Sequence, residues 1–317
     1  MKPRGRAPER RQRAAGLGAH PERRAVAQER REALRRPATG DRGRAVVLPP
    51  IVNMFERADS SSPVVSQATL GACVGLLASA RGYDLAETAD RYRGWIRSAA
   101  LRRLSPRGAI YPRPDRACRV KSFMCQIYTE RDVTTRAPIA TAPLLALLEV
   151  LEERGEWKRV RLPDGRRGWT QSGDLEPAVA KTPAAGPSAV DGAAVAAAAL
   201  RFLGLPYVWG GTTPFGLDCS GLSQLVYRLH GYLLPRDSDL QFDDPNLDSV
   251  ERADLRPGDL VFFGPNDTSI SHVGVSLDGD EFVSATTFCS PTVHVDRLDD
   301  PYWKRLYRGA RRLARGA

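Results

Sequence analysis

A single thiol, Cys219, stands where a glycine-rich turn gives way to an amphipathic pattern, in the stretch YVWGGTTPFGLDCSGLSQLVYRLHG at 207–231. Leu222, Leu225, Val226 and Leu229 fall at i, i+3, i+4 and i+7, which predicts a helix with one buried face beginning at the cysteine. Gly210, Gly211 and Gly216 let the preceding loop approach another backbone closely. A thiol at a helix start meets unpaired N–H groups and the positive end of the macrodipole, so the expectation is a favoured thiolate. The natural base is His272, in the segment ISHVGVSL. There His272, Gly274 and Ser276 alternate with Val273, Val275 and Leu277, as on a strand with one apolar face and an imidazole beside small residues on the other. Thiol and imidazole together suit nucleophilic catalysis. The imidazole takes the thiol proton and later delivers it to the leaving amine, a transfer that typically contributes ~10²–10⁴-fold. The N–H of Cys219 would stabilise a tetrahedral oxyanion.

Several elements must hold this pair. The segment DGAAVAAAALRFL predicts a helix, with Gly204 and Pro206 as its stop. LRPGDLVFFG reads as a turn and a buried strand, and FVSATT as the hairpin partner of the histidine strand across DGDE. A turn at FCSP leads into TVHVDRL, a register that would set Thr286 near Thr292 and Ser284 opposite His294, with Cβ atoms ~5 Å apart. The basic C-terminal stretch reads as partly helical. Ahead of this unit, arginine-glycine-tryptophan with a leucine six residues later occurs twice: Trp95 with Leu101, and Trp169 with Leu175. The repeat predicts two small β-barrels, at 45–106 and 118–177, with both tryptophans in the barrel cores. A Pro/Ala/Gly linker at 178–188 joins them to the last domain, 189–317.

The net charge of +10 is concentrated in residues 1–44, which hold 14 basic and 5 acidic side chains. The rest is near neutral, so no basic domain face and no specific nucleic-acid partner is expected, and the arginine-rich tail reads as disordered. No apolar run suits a signal peptide or a membrane span. Five cysteines (Cys73, Cys118, Cys125, Cys219, Cys289) lack metal-ligand spacing and fit a reducing cytoplasm.

The motifs YVWGG, DCSG, LRPGDLVFF and SHVGV, in this order over about residues 188–314, resemble the NlpC-type cell-wall cysteine peptidases. The resemblance implies an α+β, papain-like domain, helices packed on an antiparallel sheet, behind two SH3-like barrels. The combination is similar to the γ-D-glutamyl-L-diamino acid endopeptidases, which act on L-Ala-γ-D-Glu-diamino acid peptides during murein recycling and need no cofactor. It implies Cys219 as nucleophile and His272 as base. The third catalytic position, usually a histidine, carries Ser284 here, a weaker hydrogen-bonding partner; His294, across the hairpin, is the expected compensation, acting directly or through Ser284. Carried over in the same way, Tyr207, Asp218 and Ser220 would hold the free amine of L-alanine. Asp218 could equally be a plain helix cap. Ser238 would line the pocket and Arg236 would meet the glutamyl α-carboxylate. A tyrosine of the first barrel, Tyr92 or Tyr111, would close the site. A secreted hydrolase of intact peptidoglycan and an inactive cell-wall-peptide binding module are the alternatives.

Overall fold

The computed structural model describes residues 43–105, 110–178, 190–266 and 268–314. The basic tail up to residue 42 and nearly all of the Pro/Ala/Gly linker lie outside the described residues.

Residues 44–104 form one antiparallel sheet of seven strands. Its order is Val64–Thr69, Ile51–Phe55, Arg93–Arg97, Tyr83–Glu87, Cys73–Ala80, Arg44–Val47, Leu101–Leu104. Alternation decides the inside: Val47, Met54, Ala68, Leu76, Ile96 and Leu101 meet in one core. Residues 117–177 repeat the theme with a five-stranded sheet and a two-stranded hairpin around Val120, Ile127, Leu148, Val160 and Leu175. The sequence repeat is a structural one. In each unit the strand bearing the tryptophan runs into one turn of 3₁₀ helix (Ser98–Ala100, Ser172–Asp174), and a leucine then opens the closing strand. The tryptophans themselves are not core. Gly94 and Ile96, and Gly168 and Thr170, take the buried positions, so the period of two leaves Trp95 and Trp169 half-buried. The guanidinium groups of Arg131 and Arg159 lie over the Trp169 ring, 5.4 and 5.8 Å from its centroid.

The C-terminal unit packs helices on a six-stranded antiparallel sheet. The strand order is Leu247–Val250, Tyr307–Leu313, Leu260–Phe263, His272–Ser276, Glu281–Thr286, Thr292–Arg297. Val273, Val275, Val283, Ala285 and Val293 face the helices Gly192–Leu200 and Cys219–Leu229. Phe263, Phe282 and Leu298 face the other way, against Trp303 of the short helix Pro301–Leu306. The C-terminal stretch is partly helical as expected, in Pro301–Leu306; what the sequence did not reveal is that YRGARRL then becomes a strand inserted between Leu247–Val250 and Leu260–Phe263. Its single buried residue, Ala310, shows too little alternation for the pattern to reveal it; the pairing is long-range.

The barrels share a seam. Leu70, from the first unit, is buried in the core of the second. Gly71 adopts φ +78°, and a Cβ there would lie 2.1 Å from the carbonyl oxygen of Leu147. Gly71→Ala therefore combines a left-handed backbone with a backbone clash, and should cost about 2 kcal/mol or more. Denaturant unfolding reads this directly; an unchanged midpoint would mean the seam has room to open.

Candidate active site

The start of the cysteine helix is built around Asp218. Its backbone is extended (φ −96°, ψ 178°) and its carboxylate caps the helix by accepting the N–H of Gly221 at 2.7 Å. The other carboxylate oxygen accepts the N–H of Gly210 at 2.9 Å. Arg236 meets both oxygens, Nη1 at 3.0 Å and Nη2 at 2.7 Å, in the fork geometry that favours Arg–carboxylate pairs. Arg236 also donates to Ser220 Oγ at 2.9 Å and to Ser66 Oγ of the first barrel at 3.0 Å. The pair is 7% and 1% exposed. At Gly221 a Cβ would sit 2.0 Å from the carbonyl oxygen of Gly211, so the helix rests directly on the loop. The loop glycines thus serve chain-to-chain packing.

Two expectations change here. Arg236 is not available for a substrate carboxylate, because Asp218, Ser220 and Ser66 engage its guanidinium in the interior. Asp218 is not a lone carboxylate awaiting an ammonium either: five donors, Ser220 Oγ included at 3.3 Å, saturate its oxygens.

The backbone N–H groups of Val273 and Ser220 lie near the Cys219 sulfur and favour its thiolate. Val273 directly follows His272, so the thiol lies against the first residues of the histidine strand. Burial, then the charge of Asp218, push Cys219 up to about 12, against the two N–H groups and Arg236. Burial, then His294, push His272 down to about 3. Both shifts favour the uncharged forms, against the thiolate expected from the helix dipole. Desolvation outweighs the dipole because the sulfur is packed between helix and sheet.

His272 Nε2 lies 3.1 Å from Ser284 Oγ, and the ring stacks on Trp303 with centroids 5.0 Å apart and planes at 25°. The hairpin register pairs Ser284 with His294 and Thr286 with Thr292. The His294 nitrogens, however, point along their own strand. Nδ1 is 3.4 Å from Thr292 Oγ1, and Nε2 is 3.2 Å from Asp296 Oδ2. His294 thus acts on His272 through charge rather than by a hydrogen bond across the hairpin.

Of the other expected residues, half-buried Tyr207 packs against the core of this unit and donates its N–H to the carbonyl of Pro291 at 2.8 Å. Ser238 is buried at the start of the helix Ser238–Phe242. Tyr92, in the first-barrel core, reaches the C-terminal unit with its hydroxyl 2.9 Å from Asp237 Oδ2. Tyr111 does not: it is buried with its hydroxyl on the carbonyl of Arg161 at 2.8 Å, within the second unit. Sequence reasoning missed Gln241, which is buried and donates to the carbonyls of Ser220 (3.1 Å) and Pro235 (2.8 Å). It also missed Ser66 and Trp303. None carries a local signal, since each matters only through a partner distant in the chain. Trp209 of the YVWGG motif is 62% exposed, yet its Nε1 donates to the carbonyl of Val64 at 3.0 Å, fixing an aromatic rim to the first barrel. Among the described residues no group of three or more His, Cys, Asp or Glu could hold a metal ion, and no helix is long and apolar enough to cross a membrane.

A cysteine at the start of a helix packed on an antiparallel sheet, with a histidine at the head of the abutting strand, defines the papain-like class of fold. Within that class, residues 204–312 match the NlpC/P60 family, and the chain carries a domain of that family. A γ-D-glutamyl-L-lysine dipeptidyl-peptidase of Bacillus cereus is 34% identical over 167 residues, 52% of this chain and 48% of that protein. The murein DD-endopeptidase/LD-carboxypeptidase MepS of Escherichia coli is 40% identical over 111 residues, 35% of this chain and 56% of that protein. The chain thus spans about half the length of these curated relatives. The solved structure of an NlpC/P60 family protein from Bacillus cereus has a TM-score of 0.70 at 21% identity, covering 86% of this chain and 99% of that one, which shows a shared fold.

Two outcomes follow from the site's electrostatics. Arg236→Met strands a buried carboxylate and should destabilise the protein by about 3–5 kcal/mol, part of which Asp218→Asn in the same chain restores; equal unfolding midpoints for wild type and Arg236→Met would refute the strut. His272 has a folded pKa below its unfolded value, so between about pH 6.5 and 4.5 the unfolded chain takes up a proton that the native site refuses. Stability should fall with pH there by up to about 1.4 kcal/mol per unit. His272→Gln should flatten that slope in urea titrations across the window, and a parallel slope would show that His272 is not the cause.

Proposed function

We propose that this protein is a cysteine peptidase of murein stem peptides, cleaving the bond between γ-D-glutamate and the following diamino acid when L-alanine is N-terminal and free. The observation that carries the reading is the Cys219 sulfur, at the start of a capped helix, lying near the backbone amide that follows His272. In the reaction His272 takes the thiol proton as Cys219 attacks the γ-carbonyl. With Nε2 held by Ser284, Nδ1 is the nitrogen for this exchange. Helix geometry leaves the first N–H groups without intrahelical partners. Gly221 N–H is used by the Asp218 cap and Ser220 N–H faces the sulfur, so Cys219 N–H is the oxyanion donor. His272 then protonates the leaving amine, and water, activated by the same imidazole, releases the dipeptide from the acyl-enzyme.

The dipeptidyl-peptidase relatives support the choice of bond. The first barrel supports the preference for short stems, because Trp209 and Tyr92 tie it to the cysteine loop and to Asp237, where it walls the site. Because Arg236 already balances Asp218, the free amine is selected by this wall together with Tyr207 and Ser220, not by an unpaired acid. We place the activity in the cytoplasm, acting on recycled muropeptides; five free cysteines suit a reducing compartment.

Mass spectrometry of products from L-Ala-γ-D-Glu-diaminopimelate and its N-acetylated form tests the proposal. The dipeptide should appear from the unblocked compound, with cleavage of the blocked one at least about 10-fold slower, as expected when a buried polar contact is lost. Equal cleavage of both would overturn the amine requirement, and cleavage retained by Cys219→Ala would overturn the nucleophile.

A further inference from the structure

Behind Ser284, on the face of the sheet turned away from the cysteine helix, the strand Thr292–Arg297 carries His294 and Asp296 two residues apart, on one face. Asp296 is paired with Phe282 across the hairpin, and Phe282 meets Trp303 edge-on at 5.3 Å. Trp303, fully buried, is the ring on which His272 stacks. Three polar atoms meet in this layer: His294 Nε2, Asp296 Oδ2 and Trp303 Nε1. All are buried, and none has a well-aligned hydrogen bond, although the first two are 3.2 Å apart and the indole N–H lies near the carboxylate. The three groups face one another as a buried polar layer against the ring that stacks on His272.

A role for this layer follows from charge. When His272 takes the thiol proton it becomes an imidazolium in a site whose burial opposes that charge, and Ser284, a neutral hydroxyl, offers no compensation. We propose that Asp296 is the compensating anion of the catalytic assembly, a positioning residue that acts on His272 through the His294 and Ser284 layer. The charged groups that face it are His294 and Asp300, the cap of the Trp303 helix. Burial, with Asp300 adding to it, raises the carboxyl above its ordinary range while His294 opposes the rise.

The inference rests on the peptidase reading, and the test separates the two. The pH dependence of Cys219 alkylation by iodoacetamide needs no substrate, and kcat and KM on L-Ala-γ-D-Glu-diaminopimelate supply the second readout. Asp296→Asn should lower both the alkylation rate at pH 7 and kcat by about 10- to 100-fold, less than the loss from removing a directly bonded triad acid, with KM little changed. Asp296→Glu should recover most of the loss. His294→Gln, which keeps the carboxylate, should retain more activity than Asp296→Asn. Wild-type rates and an unshifted alkylation profile in a folded Asp296→Asn would overturn the inference, as would Asp296→Glu being as impaired as Asp296→Asn with an equal unfolding midpoint. If wild-type alkylation does not depend on His272, the peptidase reading itself fails.

Discussion

The bidentate contact between Asp218 and Arg236 is the constraint on which the site's geometry depends. It joins the glycine loop through Gly210, the cysteine helix through its cap, the segment after that helix through Arg236, and the first barrel through Ser66. A buried ion pair is not in itself a source of stability, because desolvating two charges offsets most of their attraction. Its value here is geometric. Each group has several fixed directions of hydrogen bonding: the carboxylate meets five donors and the guanidinium makes four hydrogen bonds, so the helix start is held from several sides. Gln241 completes the clamp from the other side by holding the carbonyls of Ser220 and Pro235.

That arrangement has an electrostatic consequence. An acid directly before the nucleophile would by itself oppose a thiolate, and part of this opposition survives Arg236 in the raised value of Cys219. The dipole and two N–H groups act the other way and do not prevail over burial. Under the proposed reading the nucleophile is made during the reaction, when a bound carbonyl gives the developing charge a partner, rather than stored beforehand. This places the demand on the base, whose protonated form must be tolerated inside the fold, and it is on the far side of His272 that the sequence departs from the family's usual pattern.

Much of this was legible from local pattern. The helix at Cys219–Leu229 follows from four apolar positions, the hairpin Glu281–Thr286/Thr292–Arg297 from two alternating runs around a turn, and the doubled barrel from the spacing of Trp95 and Trp169. Local pattern failed where partners are remote. Nothing near Arg236 announces Asp218 or Ser66, and YRGARRL shows only one buried residue because its place between two strands is decided by pairing with Leu247–Val250 and Leu260–Phe263. The tryptophans were misplaced for a different reason. Size suggested a core, but the two-residue period gave the interior to Ile96 and Thr170 and the rim to the rings. Tyr111, close in sequence to the first barrel, belongs by its hydrogen bond to the second.

The first barrel is fixed to the elements that carry the cysteine. Its contacts to the C-terminal unit concentrate on the elements that hold the cysteine: Val64 on Trp209, Gln67 on Thr212, Ser66 on Arg236, Tyr92 on Asp237 and Asp90 on Gln224. Most are polar and bear on the loop before the helix or the segment after it. A flexible tether to a wall-binding module would need no such registry. With Asp218 balanced by Arg236 and the catalytic pair shifted toward its uncharged forms, little net charge remains beside the sulfur to sort substrates. Under the proposed reading, discrimination between a short free stem and a long or capped one would fall to shape at the rim, where the barrel is fixed.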